Sequence, residues 1–399
     1  MKKILLCSGP QAPQDQPHLL QAVQALLEGD TPVTLLLLSE RPWPDLHCAG
    51  SSTLQQCNRQ GDEAWPGAAL IDQVVAFEPD LVLVDRAPLG ASGELAGLLQ
   101  RLRRSPRMPA CMLLLADLPD PAPQGPADWR DRRLHQTLRD HYDRILVLGD
   151  ARVRDLAQEY AWPISSAEKT HYAGYLRHTS GHAPIAAPVR PFSRAGAGTG
   201  SPSLILLWLQ PDSDAPAVVE TCNKALLRAG WRDTRIMVAA DPYTLRQLRE
   251  SGPATTGRAG LLDLSPASPQ LDELLGTADV VISGARYDQV SRLLGLRKRA
   301  ILVPRPRPFH DEPMRAESLQ DLGLMQAIHP DLLTPGALLA RMQELMRQPH
   351  SPMRSSAIGT DGATQLREHV LELIEGARRR NGRAEQPARH GLQAGSLAA

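Results

Sequence analysis

The sequence predicts an α/β protein built from two Rossmann-like domains facing a cleft. Three observations carry that prediction. The chain has 399 residues, more than one ordinary core accommodates and well suited to two domains of roughly 150–200 residues each. Short apolar runs alternate with helically spaced segments, the pattern of a buried parallel sheet wound on both faces. Across residues 179–203 the alternation stops in a stretch rich in Gly, Ala, Ser and Pro, and afterwards it starts again.

Each element follows from its own residues. Lys3–Cys7 reads as a strand whose apolar run ends at Ser8-Gly9-Pro10, too short for a signal-peptide core. His18–Leu27 has helical spacing, Val33–Leu38 is an apolar strand, Leu70–Phe77 a helix, and Leu81–Val84 a strand ending at Asp85. Gly93–Arg103 reads as a helix, Ala110–Leu115 as a strand and Asp128–Tyr142 as a long helix. Arg144–Leu148 is a strand ending in Gly149-Asp150. The second half repeats the alternation with strands at Leu204–Leu209, Arg235–Ala239, Leu261–Leu264, Asp279–Ser283 and Ile301–Val303. Its helices fall at Ala217–Ala229, Tyr243–Glu250, Pro269–Leu275, Val290–Leu294, Met314–Leu322 and Pro335–Arg347. The expected organisation is a first domain over 1–178, a linker over 179–203 and a second domain over 204–362. A helix over 363–377 crosses back to the first domain, and 378–399 forms a disordered tail.

Composition narrows the partners. The chain carries 44 basic and 44 acidic residues, so no nucleic-acid surface is expected and at most a peripheral membrane contact. Arg101, Arg103, Arg104 and Arg107 gather at a helix end, where the macrodipole favours cations. Five cysteines without a C-x-x-C pair speak against a disulfide framework or structural zinc and for a reducing, cytoplasmic compartment. No run reaches the ~20 apolar residues of a membrane span.

The most informative block runs from Ala300 to Leu324. A short β-run stops at Pro304, a charged Pro-rich loop follows, and a helix opens near Asp311. In an open α/β sheet such a loop lies beyond a strand's carboxyl end, where ligands bind. Three other blocks accompany it: Pro79-Asp-Leu-Val-Leu-Val-Asp85 through Gly90 to Glu94, Tyr142-Asp-Arg-Ile-Leu-Val-Leu-Gly-Asp150, and His171-Tyr-Ala-Gly-Tyr-Leu-Arg177. Together they resemble a bacterial branch of predicted glycosyltransferases with the GT-B fold, related to the lipid II-forming N-acetylglucosaminyltransferase. The resemblance implies transfer of a sugar from a nucleotide-sugar donor, a UDP-sugar, to an acceptor hydroxyl. It implies no cofactor and no metal, because helix dipoles and basic groups stabilise the leaving diphosphate.

The donor loops depart from the family pattern. Gln14-Asp-Gln-Pro-His18 stands where Gly-x-Gly-His is expected, and Trp208-Leu-Gln-Pro-Asp-Ser-Asp214 replaces a run of glycines. Ala285-Arg-Tyr-Asp-Gln289 replaces Gly-Gly-Tyr-Asn-Thr, Arg292 stands at the ribose-binding Glu, and Pro313 follows Glu312 where a sugar-contacting Gln is expected. Glycines let backbone N–H groups close on a diphosphate, and a carboxylate at a helix start repels it.

Candidate site residues follow. His18 and Asp117 are the acid/base candidates, with Asp120 beside the latter. Arg286, Tyr287, Asp288, Arg292, Arg305 and Glu312 are the donor-binding set, with Glu312 holding the sugar. Each also has a structural reading: His18 as a packing residue, Asp117 and Asp120 as turn and cap residues, and Arg286 and Arg292 as ion-pair partners of Asp288. Two functional classes therefore stand side by side. One is a glycosyltransferase. The other is a catalytically silent relative that binds a partner, such as an intact paralogue, or a glycan. A small-ligand-binding or epimerase-like protein of the same architecture is the third.

Overall fold

The computed structural model describes residues 1–9, 16–59, 65–118, 129, 131–176, 202, 204–209, 215–250, 259–263, 269–305, 311–347 and 358–385. The chain divides into two compact units, Met1–Leu176 with Asp361–Ala399, and Arg177–Thr360.

The first unit contains β1 (Lys2–Cys7), α1 (Pro17–Leu27), β2 (Val33–Ser39), β3 (Thr53–Asn58), α2 (Ala68–Phe77), β4 (Leu81–Asp85) and α3 (Ala96–Arg103). It continues with β5 (Ala110–Ala116), α4 (Arg132–His141), β6 (Arg144–Leu148), α5 (Leu156–Glu159), α6 (Ile164–Ala167) and β7 (Thr170–Tyr172). The strands form one sheet in the order β3-β2-β1-β4-β5-β6-β7. Every pairing in it is parallel. Strands β2, β4 and β5 are buried at every residue, which is why they read as unbroken apolar runs. The sheet order reverses between β1 and β4, so their carboxyl ends form a topological switch point.

Several boundaries differ from expectation for identifiable reasons. Strand β3 was not expected, because its Thr-Leu-Gln-Gln-Cys-Asn sequence is that of a half-exposed edge strand. Helix α4 begins at Arg132, later than the predicted start. Asp131 is extended and caps the helix, its side chain accepting the Arg133 N–H at 2.8 Å. The C-terminal helix runs over Gly362–Glu385, so residues 378–385 are helical where a disordered tail was expected. Arg378 holds Asp80 at 2.8 Å, and the Asn381 amide donates to the Met108 carbonyl at 3.2 Å. This helix packs against α1, β4 and β5 of the first unit.

The second unit contains β8 (Leu204–Trp208), α7 (Ala215–Ala229), β9 (Arg235–Ala240), α8 (Pro242–Glu250), β10 (Ala259–Asp263), α9 (Pro269–Thr277), β11 (Val280–Ser283) and α10 (Tyr287–Gly295). Strand β12 (Ala300–Leu302), α11 (Asp311–Asp321), β13 (Gln326–Ala327) and α12 (Pro335–Arg347) complete it. The sheet order is β10-β9-β8-β11-β12-β13, again all parallel, with its switch point between β8 and β11. Each unit has its own apolar core. Among the described residues no helix is long and apolar enough to cross a membrane.

Candidate functional site

At the switch point of the first sheet two polar residues meet in an otherwise apolar layer. His18 sits in the first turn of α1, just after Pro17, and Asp85 ends β4. Their contact is His18 Nε2 to Asp85 Oδ1 at 3.0 Å, and both residues are buried. Arg86 closes the other side, its Nε donating to Asp85 Oδ2 at 3.0 Å. Burial opposes the charge on Asp85, but Arg86 and His18 outweigh it and hold the carboxyl below the ordinary carboxylate range. An ionised Asp85 must receive a hydrogen, so the His18 ring carries a proton on Nε2 in this contact. Arg86 has φ of 58°, the left-handed region that costs a side-chain-bearing residue roughly 1 kcal/mol or more. Strain of this kind at a strand end is a feature of functional sites.

Asp117 lies just beyond β5 and is 4% exposed. The Tyr175 hydroxyl donates to its Oδ2 at 3.0 Å. Gly149 beyond β6 makes room for it: a Cβ there would stand 2.7 Å from the Asp117 Cβ. Asp150 is held two ways by Arg152, at 2.9 and 2.6 Å, and stabilises the turn that follows. Asp120 lies outside the described residues, as do Gln14, Asp15, residues 210–214 and His310.

The second unit's switch point is occupied by its own side chains. Arg286 donates through Nε to Asp288 Oδ1 at 3.0 Å, across the first turn of α10. Arg292 does not join that pair, contrary to the structural alternative read from sequence. It is ion-paired with Asp272 on α9, and its guanidinium lies 5.9 Å over the Trp208 ring. Helical periodicity explains the difference, because Arg292 falls on the buried stripe of α10 with Gln289 and Leu293. Tyr287 is buried on the same helix. Gln289 donates its amide hydrogen to the Trp208 carbonyl at 3.1 Å, while its Oε1 has no hydrogen-bond donor among the described residues. That oxygen faces Gly284, where a Cβ would come within 2.7 Å of it. A side chain there would require Gln289 to move.

Glu312 is 1% exposed and Arg305 partly buried. Their side chains pair at 2.7 Å, and Glu312 also accepts the backbone N–H groups of Ala285 and Arg305, each at 3.1 Å. Pro313 occupies the first turn of α11, where a missing N–H costs little. With Ala316, Glu317 and Gln320 it lines one side of a cavity of about 470 Å³.

The structure thus brings Arg305 and Glu312 together, and Arg286 with Asp288; it separates Arg292 from both pairs. His18 stands in the first turn of α1 and Asp117 just beyond β5. Three residues of these contacts were not among the candidates from sequence: Asp85, expected only to end its strand, Arg86, and the buried Arg315 on α11. The signal for Asp85 was present, since an acid ending an apolar strand beside the sheet's first helix is a switch-point residue. Among the described residues no cluster of three His, Cys, Asp or Glu side chains is arranged to hold a metal.

No protein-family model matches the sequence. The chain is similar to the UDP-N-acetylglucosamine--N-acetylmuramyl-(pentapeptide) pyrophosphoryl-undecaprenol N-acetylglucosamine transferase of Clostridium kluyveri, 28% identical over 125 residues, 30% of this chain and 34% of the relative. The enzyme of the same name from Methylorubrum extorquens is 26% identical over 211 residues, 46% of this chain and 54% of the relative. The chain therefore spans about a third to a half of the length of the curated relatives it matches. Among solved structures, Acinetobacter baumannii MurG superposes with a TM-score of 0.56 at 14% identity, covering 94% of this chain and 100% of the other. The spinosyn rhamnosyltransferase SpnG complexed with thymidine diphosphate gives a TM-score of 0.56 at 14% identity, with 93% and 100% covered. The chain has the GT-B fold of two Rossmann-like domains, and part of its sequence is similar to the lipid II-forming N-acetylglucosaminyltransferases.

Proposed function

We propose that the protein transfers a sugar from a nucleoside diphosphate to an acceptor hydroxyl, with His18 as the base and Asp85 as the residue that orients it. The buried His18–Asp85 contact at the first switch point carries the reading. In the step, the bond from the sugar's anomeric carbon to the diphosphate breaks and a bond to the acceptor oxygen forms. The acceptor's proton passes to the imidazole, whose positive charge Asp85 stabilises. Asp117 is the second candidate base, tied to Tyr175. On the donor side the diphosphate would meet the N terminus of α10, with Arg286, Tyr287 and Arg305 nearest and Glu312 behind them. Asp288 opposes an anion there, so Arg286 must exchange its partner for the ligand. The related transferases support a UDP-sugar as donor, and the free thiols support a cytoplasmic compartment.

A second reading has its own observation. Arg286 is paired with Asp288 and Arg292 with Asp272, so two cations that a diphosphate would need are already neutralised. This is the arrangement of a silent relative that binds a partner protein, an intact paralogue among them, or a glycan.

Thermal unfolding against UDP-, GDP- and dTDP-sugars and the free diphosphates separates the two. A ligand at about 100 times its dissociation constant adds roughly 2.7 kcal/mol, several degrees in Tm. A shift with one nucleotide, lost in R286A, supports the transferase. No shift with any of them at millimolar concentration rules it out.

A further inference from the structure

Helix α11 presents two buried charged side chains to the turn that follows β11. Glu312 and Arg315 are each 1% exposed and lie three residues apart, on one face of the helix. Glu312 Oε2 accepts the Ala285 N–H at 3.1 Å and the Arg305 N–H at 3.1 Å, while its Oε1 accepts Arg305 Nε at 2.8 Å. Arg315 Nη1 donates to the Ala285 carbonyl at 2.7 Å and to Asp311 Oδ2 at 3.1 Å. Ala285 thus has its N–H and its C=O held by side chains of the same helix, one turn apart.

Burying two charges is a demanding way to fill space. Apolar residues of similar volume pack such a site with no desolvation penalty. They cannot, however, fix a backbone donor and a backbone acceptor at once. The turn is also closely packed at Gly284, where an added Cβ would lie 2.7 Å from Gln289 Oε1 and 3.4 Å from Glu312 Oε2.

We infer that Glu312 and Arg315 are positioning residues, a clamp that sets the backbone of Gly284–Arg286 and hence the N terminus of α10. Glu312 acts on a bound nucleotide through this turn and not by touching its sugar, the role that the family resemblance implies for it. The effect on a ligand rests on the transferase reading above; the clamp itself does not.

Two measurements on the full chain test it, in the wild type, E312Q, R315M and R315K. The first is amide hydrogen exchange of the segment 283–290 without ligand. E312Q and R315M each remove a charge-assisted hydrogen bond and speed exchange there by about tenfold. R315K, which keeps the charge, retains part of the protection. The second is the affinity for UDP and for UDP-N-acetylglucosamine. E312Q and R315M weaken both by the same factor, about tenfold, and leave their ratio unchanged. Unaltered exchange at 283–290 in both variants overturns the clamp. Loss of UDP-N-acetylglucosamine affinity with UDP affinity intact in E312Q also overturns it and makes Glu312 a sugar ligand. Should the wild type bind neither nucleotide, the transferase reading fails, and the exchange result alone decides the clamp.

Discussion

Asp85 joins an imidazole and a guanidinium through one carboxylate, and its two neighbours keep it ionised despite burial. Its role is separable from that of His18 by substitution. Asp85→Asn keeps the shape but leaves Arg86 and His18 without the charge they face. The expected loss is about 2 kcal/mol, the value of a hydrogen bond to a charged group. In a unit of this size that lowers Tm by about 5 °C. The sign of the pH dependence follows from the depressed pKa. Asp85 contributes fully above the ordinary carboxylate range, and its contribution fades as pH falls through the depressed value. The gap between wild type and D85N, measured by urea unfolding, is therefore widest at neutral pH and narrows in acid. A gap that stays constant with pH would mean that the carboxylate's charge stabilises nothing. Where transfer activity is measurable, D85N and His18→Gln lower kcat by about a hundredfold or more, the usual share of a general base.

The C-terminal helix shows the same physics at the scale of an element. It is fastened to β6 and β7 by a basic and imidazole cluster: Arg144 donates to His369 Nδ1 at 2.5 Å and pairs with Glu372 at 2.8 Å, and the His171 and His369 rings stand 5.2 Å apart. Burial, Arg144 and His171 push the His369 pKa down to about 4. Burial and Arg144 also lower that of His171. An unfolded histidine titrates near 6.5, so between that value and about 4 the unfolded chain binds more protons than the folded one. Stability is full above pH 6.5 and is lost as pH falls through this window. With solvent screening of a half-exposed ring the loss is roughly 1 kcal/mol. His369→Gln flattens this part of the stability–pH curve, and an unchanged slope would show that the cluster does not set it. The helix was legible in the sequence as far as Ala377, because Leu366, Val370, Leu373 and Ile374 recur at helical spacing and are buried. Its extension to Glu385 was not, because Arg378 and Asn381 are ordered by Asp80 and Met108 far away in the chain. Buried strands were legible for the converse reason: β2, β4 and β5 need no partner to look apolar. The edge strand β3 draws its stability from pairing with β2, a relation that no local pattern records. The candidate site divides likewise. His18 and Asp117 are legible as polar residues flanking apolar runs, and Glu312, like Asp85, stands in a block that carries the family resemblance. Asp85, Arg86 and Arg315 take their roles from contacts that only the fold creates.

At the scale of the whole molecule, the second unit is inserted in the chain between β7 and the C-terminal helix, so the first unit is completed only by residues from Asp361 onward. Four large side chains of that helix, Leu366, Val370, Leu373 and Ile374, are buried. At about 1.5–3 kcal/mol each, they are worth as much as the 5–15 kcal/mol that holds a typical domain together. The helix also backs the element that carries the candidate base, since Arg367 donates to the Ala25 carbonyl of α1 at 2.7 Å. A chain ending at Leu176 should therefore fail to fold cooperatively, even though it contains every strand of its sheet. Supplying residues 361–385 as a separate peptide should restore a cooperative transition, with affinity that falls when Leu366 and Ile374 are changed to Asp. Circular dichroism and urea unfolding of the truncated chain, with and without the peptide, make the test. A truncated chain that unfolds cooperatively with undiminished stability would show that the apolar face under the helix closes by itself. The first unit would then need no return of the chain, and the His18–Asp85 contact would owe nothing to the helix behind it.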